Sequence, residues 1–344
     1  MTRPFGPVDL ERSPVEGASR VHTYEPRDRF SVTRETDTLR LRRGAPRTMV
    51  ARAMVKGLLR TMRPHQWVKN LFVLAPVVFA QQLFDRDKVL GAAAGFVCFS
   101  LLASAVYVLN DLVDVEADRA HPVKKNRPLA SGAVSVGAAK MAMVLLAAVA
   151  LGGAWFLGVW FLASLAGYLT NNIAYSFGMK RVAYVDVLSI ALGFELRVLA
   201  GSFAADVPPS AYLLIVTFLL ALFLGLGKRM HELVQQEKSG SAHSRKVLEQ
   251  YSAKVVTGLL WATGIATVAT YVFYTLDPAT RATFGSDLLV ISSAFTLFGV
   301  LRFVHLVRNR PDAESPTEEM LKDVPFIANL VLWGVAIVAI IYFG

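Results

Sequence analysis

The stretch Asn110-Asp111-Leu112-Val113-Asp114-Val115-Glu116-Ala117-Asp118, with the basic segment Arg119 to Arg127 after it, decides how this chain folds and what it can bind. An apolar run from Val89 to Leu109 leads directly into it, and carboxylates at the end of a membrane-length helix are costly unless something compensates them. At roughly 100° per residue, setting Asn110 at zero puts Asp114 at about 40°, Asp118 at about 80° and Asp111 at about 100°. On a continuous helix these four side chains share about a quarter of the circumference and converge on one divalent cation or its phosphates. Hard oxygen ligands suit Mg²⁺, which takes one or two carboxylates and fills its shell with water and substrate phosphate. Lys124, Lys125 and Arg127 supply the cations that phosphate oxygens require. The competing interpretation is a solvated acidic helix end beside a positively charged loop.

Outward from this motif the chain is apolar. Of its 344 residues 54% are hydrophobic and 18% charged, against about 25% charge in soluble domains. Nine runs read as spans, at 67–85, 89–111, 138–157, 159–178, 183–205, 210–227, 254–276, 287–308 and 324–343. The expected fold is therefore all-α, a polytopic membrane protein with a nine-transmembrane-helix bundle forming a catalytic domain over residues 67–344. Residues 1–46 are polar, without apolar period, and read as a disordered cytoplasmic tail. They lack the early apolar core of a secretory signal. Over 47–66, Arg52, Lys56, Arg60 and Arg63 alternate with Met54, Val55, Leu58, Leu59 and Met62. That pattern fits an amphipathic interfacial helix on anionic lipid, or equally a basic flank of the first span.

The formal charge of +10 invites a nucleic-acid reading, but its distribution excludes one: fourteen of the 36 Lys and Arg precede Gln66. In the connections between spans, counted with their immediate flanks, sixteen lie after even-numbered spans and three after odd-numbered ones. By the positive-inside rule the tail and the even connections are cytoplasmic, in the cell inner (plasma) membrane, with the active face toward the cytoplasm. Cys98 is the only cysteine, so no intramolecular disulfide exists.

Three more polar clusters fall on that face: Arg63-Pro64-His65-Gln66-Trp67-Val68-Lys69-Asn70, Tyr175-Ser176-Phe177-Gly178-Met179-Lys180-Arg181, and Leu226-Gly227-Lys228-Arg229-Met230-His231-Glu232-Leu233. Any one alone is a topological flank. Four around one acidic tip suggest a Mg²⁺-phosphate pocket capped by loops. The fifth span carries Asp186, Glu195 and Arg197. Glu195 and Arg197 are two apart and do not face each other, so each is expected to meet another helix. Arg197 is either functional or half of an interhelical structural pair. The glycines in the spans imply close helix approach.

At these residues the chain resembles the UbiA superfamily of intramembrane prenyltransferases over about residues 58–344. Its first aspartate motif, NDxxDxxxD, is matched by Asn110, Asp111, Asp114 and Asp118, and its YxxxKR-type loop is similar to Tyr175, Lys180 and Arg181 with one residue more. The family's second aspartate motif is replaced here by GKRMHELVQQEK, with Glu232 and Glu237 as its only acids. That departure, with RPHQWVKN and LGKRMHEL, is similar to the decaprenyl-phosphate phosphoribosyltransferase branch. The resemblance implies transfer of 5-phosphoribose from phosphoribosyl diphosphate to a polyprenyl phosphate, feeding cell-wall arabinan synthesis. It implies Mg²⁺ on Asp111, Asp114 and Asp118, with Asn110 orienting them and Lys124, Lys125 and Arg127 on donor phosphates. Tyr175, Lys180, Lys228, Arg229 and Glu232 would complete the donor and acceptor pockets, Lys180 and Glu232 close to the chemistry. Lys69 and Asn70 would meet the lipid phosphate. Replacing Lys228 or Arg229 is expected to weaken donor binding more than folding. The implied partners are the two substrates and membrane lipid, and a homo-oligomer is left open. Prenyl transfer from a prenyl diphosphate is the alternative enzyme reading, and a transporter or lipid flippase the non-enzymatic one.

Overall fold

Helix boundaries in the computed structural model, which describes residues 47–239, 246–309 and 316–343, follow local chemistry. The chain divides into two units, Met1–Arg52 and Ala53–Gly344. Of the first only the start of helix α1 (Arg47–Met62) is described, and the tail expected over 1–46 lies outside the described residues. After α1, Arg63 takes a left-handed backbone (φ 52°, ψ 59°) and Pro64 opens a 3-10 helix, Pro64–Val73, followed by a short α2 (Ala75–Phe79). Helix α3 (Arg86–Val113) begins at Asp85, whose carboxylate accepts from the backbone N–H groups of Asp87 and Lys88 at 3.1 and 3.2 Å, an N-cap. It stops at Asp114, and α4 (Val115–Ala120) restarts at once. Then come α5 (Val136–Phe156), α6 (Val159–Phe177), α7 (Val185–Ala204), α8 (Ala211–Ser239), α9 (Ala253–Leu276), α10 (Pro278–Phe284), α11 (Ser293–Asn309), α12 (Pro316–Met320) and α13 (Val324–Phe343).

Among the described residues seven helices are long and apolar enough to cross a membrane, where nine were expected. The first expected span fails because it is broken: Pro64 and Pro76 lack the N–H a continuing helix needs, and the piece between them is 3-10. Helix α6 has the length, 19 residues, but Thr170, Asn171 and Asn172 leave it less apolar than the seven. The class is nonetheless the expected one, a polytopic all-α membrane protein.

Helix α3 packs against α5, α6, α7 and the 3-10 segment, burying Phe99, Leu102, Phe161, Leu165 and Tyr168 between them. A second core joins α7, α8, α9 and α11 through Val187, Phe223, Leu226, Leu260 and Phe303. Met141, Val144, Leu145 and Val149 on α5, and Val331, Leu332 and Val335 on α13, point outward and are exposed. In water such a surface would cost about 25 cal/mol per Å², whereas lipid tails match it. Glycine lets α7 come close to two neighbours. A Cβ on Gly201 would fall on the Val73 carbonyl, and one on Gly91 would fall on the Ala204 carbonyl. Backbone cannot swing aside as a side chain can. Gly201→Ala is therefore expected to destabilise the bundle by about 1–3 kcal/mol, the range for overpacking, while Gly258→Ala, facing open space, leaves melting unchanged. Equal melting temperatures for the two purified variants would show that the 3-10 segment yields freely.

Candidate functional site

The end of α1 sets one wall of the site. Leu58 packs into the cluster of Val108, Leu129, Val134 and Ala139, which leaves Arg63 beside the tip of α3. Its left-handed backbone, uncommon for a non-glycine residue, aims the guanidinium at the acidic motif. Arg63 Nη2 lies 2.5 Å from Asp111 Oδ1, and the guanidinium stands 5.3 Å from the Tyr107 ring centre.

The acidic motif is not one helical face. Because α3 ends at Asp114 (φ −94°, ψ 5°), the expected sharing of a quarter turn by Asn110, Asp111, Asp114 and Asp118 is corrected. Asp111 and Asp118 do come together: Arg127 Nη1 reaches Asp118 Oδ2 at 2.7 Å and Asp111 Oδ1 at 3.5 Å. The Asp111 side chain is 3% exposed. Asp114 is 40% exposed and turns to Lys180 Nζ at 2.6 Å. Asn110 Oδ1 meets the hydroxyl of Ser176, which also contacts the Asn172 carbonyl. Among the described residues no three Asp, Glu, His or Cys side chains form a group able to hold a metal. The donor chemistry still fits Mg²⁺, since two adjacent carboxylates are what that ion takes from a protein when phosphates supply the rest.

The loop after α4 folds back over this tip. The backbone N–H groups of Val123 and Lys124 donate to His121 Nδ1 at 3.2 and 3.3 Å, and a 3-10 turn, Lys124–Asn126, precedes Arg127. Lys125 is exposed and Lys124 half-buried. Lys180 sits on a 3-10 turn, Met179–Arg181, between α6 and α7. Two segments distant in sequence, and the loop directly after the motif, thus each send a cation to it.

The third cluster is placed differently from expectation. Lys228 is half-buried, but Arg229 is 1% exposed, with Nε 2.8 Å from Asp186 Oδ2 on α7 and Nη1 on Glu232. Tyr251 donates its hydroxyl to the other Asp186 oxygen. Tyr175 lies near the same guanidinium. An arginine so enclosed holds α7 to α8. Asn70 is likewise committed: Nδ2 donates to Ser100 Oγ at 3.0 Å and Oδ1 accepts from Arg197 Nε at 2.9 Å. Lys69, one residue earlier, is half-buried. Arg197 also donates to the Gly193 carbonyl and the Tyr168 hydroxyl, and lies 5.1, 4.8 and 5.1 Å from the ring centres of Phe99, Tyr168 and Phe194. It thus bridges α7 to the 3-10 segment, α3 and α6. Glu195 Oε1, expected to meet another helix, is buried without a hydrogen-bond partner among the described residues. The sequence assigns no specific site role to Arg63 of the first polar cluster or to Asp186 of the fifth span, and does not mark Tyr251 at all. Arg63 stood among the flanking cations, but nothing in a sequence announces a left-handed arginine.

The UbiA prenyltransferase family matches residues 71–342. A decaprenyl-phosphate phosphoribosyltransferase of Corynebacterium glutamicum is 32% identical over 293 residues, 84% of this chain and 88% of that protein. Its counterpart in Mycolicibacterium smegmatis is 35% identical over 304 residues, covering 85% and 94%. A solved UbiA homolog from Archaeoglobus fulgidus, bound to GPP and Mg²⁺, superposes with a TM-score of 0.63 at 20% identity, covering 83% of this chain and 99% of that one, a likeness of fold alone. The chain belongs to the UbiA prenyltransferase family, as a relative of decaprenyl-phosphate phosphoribosyltransferases.

Proposed function

We propose that this chain transfers 5-phosphoribose from phosphoribosyl diphosphate to a polyprenyl phosphate such as decaprenyl phosphate. The observation that carries this reading is that each aspartate of the motif is met by a basic side chain from another segment, Arg63, Arg127 or Lys180. A donor with a 5-phosphate and a diphosphate, together with a phosphorylated lipid, needs more cations than a prenyl diphosphate does. The names of the relatives support the same reaction.

In that reaction the bond from ribose C1 to the diphosphate oxygen breaks, and a bond from C1 to a lipid phosphate oxygen forms. The lipid phosphate is already an anion, so no base has to take a proton. Asp111 and Asp118, with Asp114 beside them, would hold Mg²⁺, which when bound neutralises charge on the departing diphosphate. Arg63, Arg127, Lys124 and Lys125 would bind phosphate oxygens, and Lys180 adds a further cation from the turn after α6. Tyr175, Lys228, Lys69 and Glu232 would complete the donor and acceptor pockets, while Arg229 and Asn70 hold helices together. The basic connections orient this mouth toward the cytoplasmic side of the inner membrane. Exposed Met54, Val55 and Leu59 beside Arg52, Lys56 and Arg60 suit α1 to the lipid interface.

Purified protein given Mg²⁺, phosphoribosyl diphosphate and decaprenyl phosphate should release diphosphate and form a lipid-linked phosphopentose. Offered geranyl diphosphate as well, it should leave it intact. Consumption of the prenyl diphosphate instead would overturn the assignment.

A further inference from the structure

Lys180 reaches Asp114 from a turn with little of its own to hold it. The 3-10 turn Met179–Arg181 has no side-chain cap, and the chain leaves it through Tyr184 at φ 65°, ψ −35°. That backbone is strained for an aromatic residue. It persists only if its surroundings impose it.

A distant segment does so. Gln250 brackets the turn with its carboxamide: Oε1 accepts from the Ala183 N–H and Nε2 donates to the Arg181 carbonyl, both at 3.3 Å. Tyr251 follows, 7% exposed. Its hydroxyl accepts from the Tyr184 N–H at 2.8 Å and donates to Asp186. Its ring packs against that of Tyr184, tilted by 57° with the centroids 4.7 Å apart. Val247, Leu248 and Val256 bury the segment against Ala183, Tyr184, Met230 and Leu233. Burial and the bond to Asp186 push the phenol well above its ordinary value, so it keeps its proton and its donor role.

We infer that Gln250 and Tyr251 are positioning residues: they clasp the turn after α6 in the one conformation that delivers the Lys180 ammonium to the acidic motif. The same hydroxyl donates to Asp186, which pairs with Arg229, so the clasp is anchored on the buried contact between α7 and α8. The effect on activity rests on the phosphoribosyl-transfer reading, whereas the effect on the turn does not.

The test is a double-mutant cycle on the full chain in detergent or nanodiscs. Tyr251→Phe removes only the hydroxyl, and Gln250→Ala, at an exposed position, spares the core. Tyr251→Phe is expected to lower kcat/KM for phosphoribosyl diphosphate about tenfold, the worth of one hydrogen bond to a charged group, and Gln250→Ala about fivefold, the worth of a neutral one. In a Lys180→Ala background neither should lower it further, because the clasp acts through that lysine. Hydrogen exchange of the 178–185 peptide should rise in both variants while exchange in α3 stays unchanged. Additive losses in the Lys180→Ala background, or unchanged exchange at 178–185, would overturn the clasp. Faster exchange there, in a protein that never consumes phosphoribosyl diphosphate, would uphold the clasp and sink the function instead.

Discussion

Asp111→Asn is expected to lower turnover by about a hundred- to a thousandfold, the scale on which a single preorganised electrostatic contact acts, while the protein still inserts and folds. The reason for the split lies in exposure. Asp111 is buried, but its two cations are not: Arg63 is 26% and Arg127 29% exposed. Losing the carboxylate charge leaves both guanidinium groups in contact with water, so neither is stranded as an uncompensated buried charge. The isosteric amide keeps the packing around Tyr107 and the α3 tip. What it removes is one of two adjacent carboxylates that could hold Mg²⁺ between Arg63 and Arg127. Diphosphate release, measured against Mg²⁺ concentration with melting temperature as control, decides the matter. Wild-type turnover in this variant would show that the acidic tip is not the metal site.

Arg229→Ala should show the opposite profile, failing in stability before activity. Arg229 and Asp186 are each 1% exposed in their side chains, and removing one partner of a buried pair typically costs about 3–5 kcal/mol, because the other charge stays behind uncompensated. Among the described residues Asp186 would retain Tyr251 and the Val187 N–H. Arg229→Lys is not expected to rescue it, since a single ammonium cannot present a fork to Asp186 and Glu232 together. Removing both charges, by Asp186→Asn with Arg229→Gln, should melt closer to wild type than Arg229→Ala alone. Should Arg229→Ala melt normally and lose affinity for phosphoribosyl diphosphate, the arginine would belong to the donor pocket as its position in the chain suggests. The two experiments together separate the residues that meet substrate from those that hold the walls.

Hydropathy and local charge carried the architecture and the location of the site. Apolar runs of spanning length can bury themselves only in lipid or in one another, so class and approximate spans are legible one segment at a time. The aspartates of residues 111–118 declared themselves because acids at the end of such a run need a reason, and the glycines of α3 and α7 declared close packing. Pairing across segments is another matter. Which cation meets which acid depends on distances between residues dozens of positions apart, as with Arg63 and Asp111, Lys180 and Asp114, or Arg229 and Asp186. No periodicity records those distances. The break at Asp114, the left-handed turns at Arg63 and Tyr184, and the commitment of Asn70 to Arg197 arise only when neighbouring helices compete for the same backbone and the same polar atoms. Composition and spacing determined that this chain crosses a membrane and gathers acids and bases at one end. The packing alone decided which of those charges face an open mouth and which are spent holding the helices together.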